Sequence, residues 1–88
     1  MTHQVLLNPK AAEYLRRAED KLRTRIKAAL GELEDDPQKG QRLQHSIYYR
    51  LRIGDYRAIY SVDNREQRVI VLFIGHRSEV YDDFSRLV

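Results

Sequence analysis

The stretch Ile47-Tyr48-Tyr49-Arg50-Leu51-Arg52-Ile53-Gly54-Asp55-Tyr56-Arg57-Ala58-Ile59-Tyr60-Ser61-Val62 alternates residue types on either side of a Gly-Asp pair. This is the pattern of a β-hairpin closed by a two-residue turn. Glycine at the first central position suits type II′ geometry. Such a turn fixes the register: Ile53 faces Tyr56, Arg52 faces Arg57, Leu51 faces Ala58 and Arg50 faces Ile59. Cross-strand partners share a face, so Ile47, Tyr49, Leu51 and Ile53 join Tyr56, Ala58, Tyr60 and Val62 on a core side. Tyr48, Arg50, Arg52, Arg57, Ile59 and Ser61 fall on the other. Like charges set opposite each other cost a sheet about a few tenths of a kcal/mol, and the hairpin's own acid, Asp55, sits at its tip. The arginine face is therefore expected to hold an anion. The alternative is that these arginines extend into solvent or pair with acids from elsewhere, as most surface charges do.

Upstream of the hairpin, His3 to Leu7 reads as a short strand, and Asn8-Pro9 offers an N-cap followed by proline at the first helical position. From Ala11 the apolar residues fall at positions 11, 14, 15, 18, 22, 26, 29, 30 and 33, a helical period. One helix from Pro9 to Glu34 would be about 39 Å long, against a radius of gyration near 12 Å expected for a chain of this size. A break around Ala18 to Asp20, with Asp20 capping a second helix, gives an antiparallel helical hairpin instead; an unbroken helix is the alternative. Asp36-Pro37 closes the helical region, because the residue before proline is biased away from helical geometry. A polar loop is expected from there to about Ser46. Downstream, Asp63-Asn64 opens a turn, and Arg68 to Ile74 is apolar on both faces, as a covered central strand would be. Gly75 is expected to end that strand. Glu79 to Leu87 is long enough for a short terminal helix with Val80, Phe84 and Leu87 on one side. The expected class is α+β: an N-terminal strand and helical hairpin packed on a small antiparallel sheet, with a short C-terminal helix, all in one domain over residues 1–88.

Composition narrows the function. The chain has 88 residues, 42% hydrophobic and 33% charged, enough for a single core. The longest apolar run, Val69 to Ile74, is far short of the roughly 20 residues a bilayer requires. Met1 to Asn8 lack the basic start, apolar stretch and cleavage site of a secretory signal, so the expected compartment is the cytoplasm. There is no cysteine for a disulfide or thiolate metal site, and His3, His45 and His76 are too scattered for a metal cluster. No cofactor is called for. The net charge of +3 is uneven: residues 1–38 are neutral, residues 39–77 carry +5 and residues 78–88 carry −2. Twelve of the sixteen basic residues are arginine, whose planar fork matches phosphate oxygens and stacks on bases. A polyanion such as RNA is the partner this favours, though an arginine-rich composition alone would look the same.

Gly75-His76-Arg77 should leave the covered strand beside the arginine face, with Tyr81 one helical turn further on. Cleavage of RNA by its own 2′-hydroxyl needs that hydroxyl deprotonated, the phosphorane charge stabilised and the leaving 5′-oxygen protonated. The arginine cluster meets the second need, and Tyr81 amid guanidiniums is a candidate base. Taken singly, Tyr81 reads as a packing aromatic and His76 as a capping residue. Their combination with the arginines points to a site.

Tyr49 to Tyr60 (YRLRIGDYRAIY), followed by Ile74 to Tyr81 (IGHRSEVY), resembles the signature of the RelE/ParE toxin superfamily, RelE branch; the opening Leu7 to Ala12 and the Asp36-Pro37 loop are similar too. The resemblance implies a toxin of a type II toxin–antitoxin module, a ribosome-dependent endoribonuclease that cuts mRNA in the A site without metal. It also implies a RelB-like antitoxin as partner, with operator DNA contacted only through that antitoxin. By position, Arg57 would stabilise the phosphorane, Arg77 would bind the phosphate and assist the leaving group, and Tyr81 would stack on a base or transfer a proton. Arg50, Arg52, Tyr48 and His76 would bind RNA. Arg50 and Arg52 stand where the best-studied bacterial form has lysines, and guanidinium is a poor proton donor or acceptor near neutral pH, so electrostatic roles are expected of them. Two other functions fit the same scaffold: a ParE-like toxin that poisons gyrase, and an inactive homologue serving as antitoxin partner and corepressor.

Overall fold

The computed structural model describes residues 2–81. In chain order they form strand β1 (Gln4–Leu7), helix α1 (Pro9–Arg17) and helix α2 (Asp20–Gly31) with a 3-10 turn (Glu32–Glu34). Strands β2 (Gln41–Arg42), β3 (Tyr48–Ile53), β4 (Tyr56–Asp63) and β5 (Arg68–His76) follow. The strands make one sheet in the order β1-β5-β4-β3-β2. Strands β2 to β5 pair antiparallel, while β1 lies parallel to β5. The fold is α+β as expected, with a mixed sheet in place of a wholly antiparallel one. Both helices and the first hairpins intervene between β1 and β5, so the N-terminal strand returns to the sheet's far edge pointing the same way as its partner. No helix among the described residues is long and apolar enough to cross a membrane.

Asn8 caps α1 as its position predicts: its side-chain oxygen accepts from the Ala11 N–H at 3.1 Å, and Pro9 fills the first turn. The helical region breaks at Ala18 and Glu19, so the long helix does not form; at 33 Å in its greatest extent the molecule could not enclose it. Asp20 is the first residue of α2 rather than its cap, and Glu19 takes the cap position with no side-chain hydrogen bond. Arg23 holds the corner instead. Its Nε donates to the Leu15 carbonyl at 3.1 Å, its Nη2 to the carbonyls of Arg16 at 3.1 Å and Ala18 at 2.6 Å, and its Nη1 to Asp20 at 2.8 Å. One guanidinium thus satisfies carbonyls that α1 leaves open at its end. Arg23→Ala should lower stability by about 1–2 kcal/mol, read as an earlier midpoint in urea with unchanged slope.

The two helices pack on one face of the sheet. Ala11 and Leu15 of α1, Ile26 and Leu30 of α2 and Leu33 meet Leu51, Ile53, Ala58, Tyr60, Val69, Val71 and Ile74 in the main core. A second, smaller cluster covers part of the opposite face, where Ile59, Phe73 and Val80 are buried and Leu43, Tyr48, Leu72 and Tyr81 pack against them. The hairpin register is the expected one throughout, and Gly54 has φ +60° while Asp55 does not have positive φ, in keeping with a type II′ turn. Between Ile59 and Tyr60 the pairing with β5 slips, so that Ile59 faces Phe73 and Tyr60 faces Val71, leaving Leu72 as an extra residue. This bulge puts Ile74, Val71 and Val69 all on the helix side.

Several expectations are corrected. Ile47 is 65% exposed, because it lies in the turn ahead of β3 rather than on the core side. Ile59 is fully buried under Val80 and Phe73 rather than part of an open arginine face. Strand β5 runs through Gly75 to His76, and part of the supposed polar loop pairs with β3 as β2. Val80 and Tyr81 begin a helical turn; the rest of the expected terminal helix, with Phe84 and Leu87, lies outside the described residues.

Candidate active site

The open part of the sheet's second face is a cleft of about 520 Å³. Arg50, Arg52, Arg57, Arg77, Lys39 and Tyr81 line it, with Gly40, Gln41 and Leu51. Five cations and no carboxylate among its described lining residues make it a trap for an anion, since a concave wall of one sign focuses the field. The hairpin register places Arg52 directly opposite Arg57. Arg50 faces Ile59 on one side and Gln41 of β2 on the other.

Each side chain has a structural reason for its place. The Arg57 Nη1 donates to the carbonyls of Gly54 at 2.6 Å and Tyr56 at 2.8 Å, so the turn holds this guanidinium at the tip. The backbone N–H of Arg77 donates to the Asp55 carbonyl at 2.8 Å, which ties the end of β5 to the same tip and brings Arg77 to the cleft. Arg50 Nη1 donates to the Tyr81 hydroxyl at 3.1 Å, and its Nη2 bonds the side-chain oxygen of Gln41. Arg50 is thereby the link between β2 and the helical turn after β5.

The loop before β2 forms the remaining wall. The Gly40 N–H donates to the Tyr60 hydroxyl at 2.9 Å, and a Cβ added at Gly40 would come within 2.6 Å of the Arg50 carbonyl oxygen. Only glycine allows the backbone to approach β3 so closely. Tyr60 is fully buried, stacked on Tyr49 at 5.3 Å between ring centroids, and desolvation pushes its hydroxyl above the usual tyrosine value, with the Gly40 bond opposing.

The structure brings five of the sequence-predicted residues together: Arg50, Arg52, Arg57, Arg77 and Tyr81. It places the other two elsewhere. Tyr48 shares the face but belongs to the apolar cluster around Ile59. His76 faces Tyr56 in the ladder, with the rings edge to face at 5.5 Å; its Nδ1 accepts from the Ser78 N–H at 3.2 Å, so it closes the turn towards Tyr81 from the sheet's helix side. Lys39, Gly40 and Gln41 were missed. Their signal was the onset of the cationic excess at residue 39, beside a glycine in a loop.

A family model for the ParE toxin of the type II toxin–antitoxin system parDE matches residues 5–81. The chain belongs to the RelE/ParE toxin superfamily. Solved structures agree on the fold. The RelE–RelB complex from the archaeon Pyrococcus horikoshii OT3 contains a chain of 25% identity that aligns at TM-score 0.78, over 90% of this chain and 99% of that one. Escherichia coli toxin RelE, as a double arginine-to-alanine mutant in the free state, aligns at TM-score 0.79 and 24% identity over 100% of both chains. The toxin–antitoxin complex from Mycobacterium tuberculosis gives TM-score 0.73 at 23% identity, over 88% of this chain and 100% of that one. Comparison with the curated proteins gives no match. In this RelE/ParE toxin the cleft's described cations come from the loop before β2, from β3 and β4, and from the turn after β5.

Proposed function

We propose that this RelE/ParE toxin is a ribosome-dependent endoribonuclease that cuts mRNA in the A site by attack of the RNA's own 2′-hydroxyl. The observation that carries the reading is the cleft itself, lined by four arginines together with Tyr81, whose hydroxyl accepts from Arg50. Arg57 would meet the phosphorane oxygens, Arg77 would hold the phosphate and ease departure of the 5′-oxygen, and Arg50 and Arg52 would supply field. Tyr81 would stack on a base or pass a proton. Relatives solved as RelE–RelB complexes support a RelB-like antitoxin as the partner that silences the toxin. Contact with operator DNA would then run through that antitoxin.

Primer extension on an mRNA in a reconstituted translation reaction tests the reading. Native protein is expected to leave A-site cuts, and the Arg77→Ala, Tyr81→Phe double variant to leave none. One observation favours a second reading: the matching family model is that of ParE. Inhibition of gyrase supercoiling with intact mRNA would select a gyrase poison over the nuclease.

A further inference from the structure

The reaction proposed above moves two protons, one off the 2′-hydroxyl and one onto the departing 5′-oxygen. Guanidinium stays protonated in proteins and serves neither transfer well. The four arginines that dominate the cleft can therefore hold charge but not exchange it. Of the charged and phenolic groups among the cleft's described lining residues, that leaves Lys39 and Tyr81. The Tyr81 oxygen already accepts a hydrogen bond from Arg50, which suits it to receive the 2′-hydroxyl proton while passing its own to solvent. The second proton needs a donor on another wall.

We propose that Lys39 is the general acid that protonates the 5′-oxygen, an assignment that rests on the nuclease reading. In this step the 2′-oxygen bonds to phosphorus as the bond from phosphorus to the 5′-oxygen breaks. The 2′-hydroxyl proton leaves through Tyr81 to solvent, the Lys39 ammonium gives its proton to the 5′-oxygen, and the resulting amine regains one from water between turnovers. The products are a cyclic phosphate and a 5′-hydroxyl, with charge and protons balanced.

The fold places Lys39 for this. Its neighbour Gly40 is pressed against the Arg50 carbonyl and bonded to the buried Tyr60 hydroxyl, and Gln41 pairs with Arg50 in the ladder. The backbone that carries Lys39 is thus pinned to the cleft's rim, beside the strand that carries Arg50 and Arg52. Its ammonium pairs with Glu32, both side chains about half exposed at 45% and 55%. Exposed pairs of this kind are weak, so a phosphodiester held by four arginines displaces Glu32 readily. Glu32 itself is not among the cleft's described lining residues, and it neutralises Lys39 alone of the five cations there.

Leaving-group chemistry provides the test. Single-turnover cleavage on programmed ribosomes is measured for two mRNAs, one all-oxygen and one with sulfur replacing the bridging 5′-oxygen at the cut site, because a thiolate departs without needing a proton. Lys39→Ala and Lys39→Arg should each cut the oxygen mRNA about 100-fold or more below native, and the sulfur mRNA within about threefold of native. Arg77→Ala, by contrast, should be slow on both. Lys39 variants that cut the oxygen mRNA at the native rate, or that are equally slow on both, overturn the assignment while leaving the nuclease reading in place. Native protein that cuts neither mRNA overturns both.

Discussion

Arg57→Ala should slow single-turnover cleavage of ribosome-bound mRNA by about two to three orders of magnitude, with the affinity for the programmed ribosome little changed. The expectation follows from where the guanidinium sits. Two backbone carbonyls of the Gly54 turn fix it through one nitrogen, Nη1, at 2.6 and 2.8 Å. A donor held in this way needs no reorganisation when charge develops on a phosphorane, so its contribution appears in the rate rather than in binding. Arg57→Lys keeps the charge but loses the fork, and should recover only part of the rate. A fall in ribosome affinity with an unchanged chemical step would show that Arg57 binds rather than stabilises. The variant should remain folded, because Arg57 is no part of either apolar cluster.

The largest effect on stability is expected at Tyr60. It is the largest of the fully buried side chains among the described residues, so Tyr60→Ala should cost about 3–5 kcal/mol by lost burial and the cavity left behind, a large share of the 5–15 kcal/mol that domains possess. Tyr60→Phe should cost about 1–3 kcal/mol, because it keeps the ring and leaves the Gly40 N–H without its acceptor. Urea titration of the two variants separates packing from hydrogen bonding. The hydroxyl also makes a pH prediction. Burial raises its folded-state value above the unfolded value near 10, so the unfolded chain loses its proton first. The stabilisation is complete below pH 10 and declines as the pH rises from there through the folded-state value. In Tyr60→Phe that alkaline decline should be shallower. Equal alkaline slopes in the two proteins would assign the decline to other groups, such as Tyr14, whose hydroxyl is also raised by burial.

The hairpin and its facing arginines were legible in the sequence because strand alternation and a Gly-Asp turn specify a register directly, and register decides which residues share a face. The cap at Asn8 was legible for the same reason, as a local rule acting on adjacent residues. The bulge at Leu72 was not. Every residue from Val69 to Ile74 is apolar, so a one-residue slip leaves no mark in the pattern. The misplacement of His76 has a related cause: the strand runs one residue past Gly75, and the register that pairs His76 with Tyr56 sets it on the helix side. The break between the helices was visible from size alone, but its fastening, a guanidinium reaching back to three carbonyls, depends on a long side chain that periodicity does not track. Lys39 escaped for a third reason. It joins the site through a loop whose position is set by a glycine's close approach to a distant strand, and such contacts carry no local signature.

The parallel pairing of β1 with β5 bears on how the molecule is made. Ribosomes deliver the chain from its N-terminus, and β1, which emerges before every other described element, pairs with a strand near the other end of the described chain. Contacts of such long range close late and slow folding. Until β5 is available, β1 has no ladder partner, β4 lacks one neighbour, and Arg77 and Tyr81 do not yet exist. A nascent chain that stops short of β5 therefore has an open sheet and an unfinished cleft. The cleft cannot be assembled until synthesis has passed Tyr81, the last of its described lining residues.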